Sequence, residues 1–585
     1  LLMAAAHQNP MDVAALLRSG IELSSFYSAA MSIPGRVIEL AGWLSFAAAL
    51  FTMAVTGLWD LLRQKRVNAI EFAISILAFA LFLFLNFKAG FVRHDQHSLI
   101  AWGGLAVAAL AWICLERTWL SCSSRTLAAA AIAIAAVVVP NALIQRRPFP
   151  DLAAQPREKL EAIQSQTFQF VSIVSNPGIW LRDQIARQSQ ARTAIRTVTA
   201  YPRIDGPIDM IPSNQSELIA HGFEYRPRPT IQEYATYSPL LIARNRAFFE
   251  GERAPQHILM RPGSIDYRHP ASAEGSLWSL FLSSYEPVAS IGDMVQLTRR
   301  RSPLTEIIGP ESSIVARFRE LIPLPPGDAP ILLKARIERQ LIGRLLDIAL
   351  KPPIVTMYAT YSDGQEVPYR VIPGMISEGM IVSPLVESSA DYVLLAAGRM
   401  GAPKWRRPVS IRFESGFLGA TAYQRQIAVT FTRLSAEKLR EASTDNAYLA
   451  AETRRIDMLT PILAGNPLRP PQLDLVPEGL LAHAPMSLKL PVTPGSRLRI
   501  AFGIRDGAWR GDAATDGVCF SVSSSTGARL YERCLQPKTV EGDRGAQEAE
   551  LQVPPDVSDL NLETSCRANC AWDWSYWSAA TKVAD

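Results

Sequence analysis

Along the first quarter of the chain, apolar positions come in four nearly unbroken runs, 40–58, 70–87, 98–115 and 127–144. At about 1.5 Å of rise per residue each is long enough to cross about 30 Å of hydrocarbon. The second and fourth carry no charge inside the run apart from Glu71 at one end. A buried helix of a soluble protein would show a polar stripe. The pattern therefore predicts four transmembrane helices in 37–150, after an outer segment 1–36.

Beyond residue 150 the pattern breaks into short pieces. From 151 to 321 strand-like runs such as Ile208-Asp-Met-Ile211 and 254–260 alternate with helical stretches, one of them 214–221 with Ser213 as N-cap. That alternation predicts a small α/β domain. From 322 to 434 short β-rich runs separated by Gly, Asp and Pro predict a β-sandwich. A helical and Pro-rich linker, 435–478, leads to a second all-β module, 479–585. The fold class is thus a membrane α-helical part followed by an α/β domain and two jelly-roll-like β-sandwiches.

Charge and cysteines refine this picture. A net charge of +5 over 585 residues, with no basic face evident, gives no case for nucleic-acid binding. Arg63, Lys65 and Arg66 in the first connection and Arg117 and Arg125 in the third favour a cytoplasmic side for those loops, although Arg146 and Arg147 argue the other way. Cys519, Cys534, Cys566 and Cys570 all fall in the last module. Such a cluster suits two disulfides and an oxidising compartment, the alternative being buried free thiols. Cys519 and Cys534 sit on neighbouring strand candidates and Cys566 and Cys570 within a turn's reach, so these are the expected pairs. The localisation expected is an inner membrane, with the large C-terminal part extracytoplasmic. The chain opens on Leu1 without a signal-like segment, so further helices are expected upstream.

Three places gather residues with chemistry. The connection after the second run holds Arg93, His94, Asp95 and His97, ionisable groups that form either an acid–base or substrate site at a membrane face or simply a solvated loop. In the α/β domain Arg226, Arg228, Gln232, Tyr234 and Tyr237 line a Pro-rich stretch that suits an anionic or sugar ligand, or else a stiff brace. Asp512, Asp516 and Asp543 offer carboxylates for a structural Ca²⁺, or serve as turn formers.

The last module carries Ala571-Trp-Asp-Trp-Ser-Tyr-Trp577. As one strand, Trp572, Trp574 and Tyr576 would share a face, with Asp573 and Trp577 on the other. One set of rings would fill the core, and Trp574 or Trp577 would remain to stack on a sugar beside Asp573 and Asp516. Asp516-Gly-Val-Cys-Phe520, followed by the terminal Asp-Trp segment, resembles carbohydrate-binding β-sandwiches of the NPCBM type over roughly the last hundred residues. That resemblance implies glycan binding by Trp572, Trp574, Trp577, Asp573 and Asp516. The order of membrane helices, outer α/β domain and β-sandwiches is similar to bacterial GT-C glycosyltransferases. It implies membrane lipid and a polysaccharide or lipid-linked sugar as partners. Its catalytic acid lies in a first outer loop, expected upstream of Leu1, so no catalytic residue is transferred. The alternative is a non-catalytic, membrane-anchored glycan-binding or scaffold protein.

Overall fold

The computed structural model describes residues 9–119, 124–144, 155–401, 407–466, 472–510 and 515–582, and its contacts divide the chain into two compact units.

The first unit comprises Leu1–Gln188, Glu338–Ile354 and Ser415–Gln424. Its leading helices are α1 (Val13–Met31), α2 (Val37–Arg63), α3 (Ala69–Phe91), α4 (Ser98–Trp119) and α5 (Ser124–Ile144). Of these, α2 and α3 are long and apolar enough to cross a membrane. The apolar parts of α4 and α5, Ser98–Cys114 and Ser124–Pro140, are shorter. In α2 the hydroxyls of Ser45, Thr52 and Thr56 turn back onto carbonyls of the preceding turn, which hides them in the helix's own backbone. A capping box of Asn68 and Glu71 starts α3. Small residues let the helices approach: a Cβ at Gly57 would come within 2.5 Å of Trp112, and one at Gly90 within 2.5 Å of Ala101. Trp43 donates its indole N–H to the Ala101 carbonyl at 2.9 Å, and Arg125 meets Asp60 at 2.8 Å.

Two later segments complete this unit, a helix α6 (Leu341–Ala349) and a short helical turn, Gly419–Ala422. They pair closely. Gln340 N–H donates to the Ala422 carbonyl at 2.8 Å, and a Cβ at Gly343 would lie 2.1 Å from that same oxygen.

The second unit holds the sheets. In its α/β part, β1 (Ile208–Ile211), β2 (His257–Met260), β3 (Tyr285–Ile291) and β4 (Met294–Arg299) form one sheet of order β1-β2-β4-β3, with β1 and β2 parallel. The helix predicted from Ser213 runs Gln215–His221 instead, after Asn214 in a left-handed conformation. Next come β5 (Ile308–Arg317), β6 (Ile322–Pro323), β7 (Ile331–Arg336), β8 (Val355–Tyr361), β9 (Glu366–Val371), β10 (Met380–Ser383), β11 (Pro408–Ser415) and β12 (Gln426–Leu434). They make two sheets, β10-β7-β12-β5 and β6-β11-β8-β9. Residues 308–317, read from the sequence as part of the α/β stretch, thus pair with β12.

The last module has β13 (Leu473–Val476), β14 (Gly479–Ala482), β15 (Met486–Pro491), β16 (Arg497–Ile504), β17 (Val518–Ser524), β18 (Arg529–Leu535), β19 (Gln547–Gln552), β20 (Asp559–Cys566) and β21 (Ser575–Lys582). A five-stranded sheet, β13-β14-β21-β16-β19, faces a four-stranded one, β15-β20-β17-β18. Leu488, Leu490, Phe520 and Leu562 from one sheet and Ile500, Phe502 and Trp577 from the other share a single buried core. This sandwich, joined by Phe502–Phe520 ring contact at 4.7 Å, is the frame of the site below.

Candidate functional site

The C-terminal segment builds its site from the disulfides outward. Cys519 and Cys534 are cross-strand partners of β17 and β18 and are bridged. Cys566 at the end of β20 is bridged to Cys570, which closes the turn that leads to the tryptophans. Within this turn the Asp516 carboxylate accepts from the N–H groups of Ala568 at 2.8 Å and Asn569 at 3.1 Å. Asn569 accepts from Ala571 N–H at 2.8 Å.

The chain then kinks. Trp572 has a φ of +66°, the left-handed region, and the Trp574 N–H folds back on the Trp572 carbonyl at 2.8 Å. This is why the alternation expected of 571–577 fails: β21 begins only at Ser575. Trp572, at 41% exposure, stands out of the module, and Trp574 lies half-buried against it, with ring centroids 5.1 Å apart and planes 50° apart. Gly507 leaves room for the Trp574 ring, which a Cβ there would meet at 3.1 Å. Trp509 is flanked by the guanidinium groups of Arg510 at 5.1 Å and Arg544 at 4.9 Å from its ring.

Three expectations change here. Trp577 is fully buried against Phe502 and Phe520 at 5.6 and 5.5 Å, so it has no face for a sugar. Asp573 is also fully buried and accepts from the Thr515 hydroxyl, so it braces the kink rather than meeting solvent. Burial pushes its carboxyl above the usual range, and Asp516 adds to that while Thr515 opposes it. Of the aspartates proposed for Ca²⁺, Asp516 and Asp543 each take other partners. One oxygen of Asp516 accepts from the turn's backbone, Asp543 accepts from Arg533 at 3.1 Å and Gln536 N–H at 2.8 Å, and Asp512 lies outside the described residues. Cys566, Cys570 and Asp573 do lie close together, but the two sulfurs are bonded to each other and offer no thiolate.

In the Pro-rich loop of the α/β domain two of the five candidate ligand residues, Arg228 and Tyr237, turn inward. Arg228 is fully buried, pairing with Asp209 of β1 at 2.7 Å and donating to the carbonyls of Met210, Thr230 and Pro212. All three guanidinium nitrogens are engaged inside the protein. Tyr237 is buried too, and Arg226 pairs with Glu224 at 3.0 Å; Gln232 is exposed and Tyr234 half-buried.

In the helical unit the expected loop cluster does come together. His97 binds Asp95 through its ring at 2.6 Å and its N–H at 3.0 Å, and Arg93 reaches the same carboxylate at 3.2 Å. Burial alone would raise the Asp95 carboxyl, but the His97 hydrogen bonds and the nearby Arg93 hold it below its usual range. His94 turns inward to Glu39 at 3.1 Å, whose other oxygen accepts from Trp102 at 3.1 Å. Glu39, Trp102, Trp509 and Thr515 were not anticipated. A lone acid at the mouth of an apolar run was the available signal for Glu39; the other three carried none.

No family model matches the chain, and no curated protein matches it. Among solved structures, tandem CBM51 modules of a family 98 glycoside hydrolase from Streptococcus pneumoniae SP3-BS71 share 9% identity over 52% of this chain and 88% of that one, at a TM-score of 0.16. The M60 catalytic domain with two CBM51 domains of Clostridium perfringens ZmpB shares 10% identity over 51% of this chain and 36% of that one, at 0.16. The CBM51-2 and INT domains of the same protein, in complex with GlcNAc, share 15% identity over 18% of this chain and 21% of that one, at 0.15. The chain thus spans about a third and about a fifth of the two Clostridium structures. Overlaps at these TM-scores do not establish a common fold.

Proposed function

We propose that this is a membrane-anchored protein of a cell envelope that binds glycan at the Trp572 end of its C-terminal module. The observation that carries the reading is Trp572 itself. A large ring held outward by a left-handed kink, a disulfide-closed turn and a buried aspartate is preorganised, and its half-buried neighbour Trp574 widens the flat apolar surface. Sugars present C–H faces that suit such a surface. The two disulfides favour an oxidising, extracytoplasmic side for 479–585. In this reading α2 and α3, with α4 and α5 completing four spans, form the anchor in 37–150.

The test is glycan-array binding by the detergent-solubilised chain and its Trp572→Ala variant. Binding that Trp572→Ala abolishes supports the proposal; no glycan bound by the wild type, or binding indifferent to Trp572, sinks it.

A second reading, sugar transfer from a lipid-linked donor, is favoured by the Asp95–His97–Arg93 cluster at one end of apolar helices. It predicts that Asp95→Asn removes transfer to the glycan while leaving glycan binding intact.

A further inference from the structure

Helix α6 is apolar on the wrong side for a soluble protein. Leu341, Ile342, Leu345 and Ile348 are exposed at 72, 49, 55 and 65%, while Gly343 and Asp347 on the opposite side are buried. Phe417 and Leu418, on the segment paired with it, are exposed at 92 and 46%. A contiguous apolar face of this kind marks an interaction surface.

Its position identifies the partner. The Lys88 ammonium, near the C-terminal end of α3, donates to the carbonyls of Asp347 at 2.6 Å and Ile348 at 2.8 Å and so caps α6. Lys351 reaches back to the carbonyls of Ile33 at 2.7 Å, Phe91 at 2.9 Å and Val92 at 3.2 Å. The two lysines staple α6 to the end of α3. That helix carries its own exposed apolar row, Ile70, Ile74, Leu77, Leu81 and Leu85, which ends three residues before Lys88, about 4.5 Å along the axis. The apolar surface of α3 therefore runs up to the place where α6 is fastened. Arg344 is exposed beside the apolar face, a cation placed as in a helix lying in a headgroup layer.

We infer that α6 and the Phe417–Leu418 turn lie in the interface of the same bilayer that α3 crosses, with their apolar side chains among the acyl chains. This rests on the reading of α3 as membrane-spanning. The occupant is lipid rather than another protein.

The full chain, with Cys114 and Cys122 replaced by Ser, is reconstituted into phosphatidylcholine–phosphatidylglycerol vesicles. Single cysteines for an environment-sensitive fluorophore are placed at Leu345, Phe417 or Leu77, all exposed positions whose labelling does not disturb the core. Lipids brominated near the headgroup should quench labels at Leu345 and Phe417 about twofold or more, and lipids brominated deep in the chain should quench Leu77. If Leu77 is quenched but Leu345 and Phe417 are not, the interfacial helix is wrong and the membrane span stands. If Leu77 is not quenched by any lipid, the span is wrong and the inference falls with it.

Discussion

At the scale of single residues, the terminal tryptophans divide into two kinds that one experiment separates. Trp577→Ala should cost about 3–5 kcal/mol of stability, because it empties a core ring site. Trp572→Ala should leave melting nearly unchanged and cost about 1–3 kcal/mol of glycan binding, by analogy with other stacking on aromatic rings. Calorimetric melting beside binding titration reads both. His269 gives a second prediction. It is buried, accepts from Ala271 N–H at 3.1 Å and meets Tyr369 edge-on; burial pushes its imidazole down to about 3, with Asp391 opposing. The folded protein thus holds it neutral where the unfolded chain would protonate it near 6.5. Its contribution is complete above that value and is lost as pH falls, at about 1.4 kcal/mol per pH unit. Melting of His269→Asn should be flatter between about pH 6 and 4 than that of wild type; equal slopes would contradict this. Residue types were legible at 571–577, but their directions were not. Alternation assigns faces only within a strand, and after the left-handed backbone at Trp572 the strand begins only at Ser575. Arg228 misled for a different reason. A guanidinium that grips a ligand and one that grips β1 look the same in sequence.

At the scale of elements, the turn closed by Cys566–Cys570 orients Trp572 at the rim of the core, whereas Cys519–Cys534 ties two strands of the sandwich. Replacing Cys566 and Cys570 by Ser should therefore weaken glycan binding with a small effect on melting. Replacing Cys519 and Cys534, which close a loop of 15 residues, should cost about 3 kcal/mol. Binding and melting of the two double variants should diverge in opposite senses. Both pairings could be expected from strand neighbours and spacing, since cross-strand partners and short turns bring Cα atoms within bridging distance. Helix α6 could not be placed so easily. Leu341, Leu345 and Ile348 do repeat at helical spacing, yet nine residues inside a β-rich stretch give a weak signal, and nothing local says which side meets water.

At the scale of the whole molecule, the sequence of regimes was legible: apolar helices, then an α/β sheet, then two pairs of sheets. Long runs and period-two alternation are properties of many residues at once and survive local exceptions. A cysteine-accessibility reporter placed after residue 144 should respond from the extracytoplasmic side; a cytoplasmic response would contradict the proposed anchor and the disulfides alike. One arrangement also bears on how the protein is made. Lys88 and Lys351 satisfy carbonyls more than 250 positions apart in sequence. The helices emerge from the ribosome first, and the segments that finish their unit follow only with residues 338–354 and 415–424. Until then Lys88 lacks its acceptors, and closing so long a loop is slow. On the proposed reading of this unit as the membrane anchor, its helices would be inserted before the segments that complete it are made. A chain that stops before residue 338 would therefore leave the Lys88 ammonium without the Asp347 and Ile348 carbonyls to which it donates.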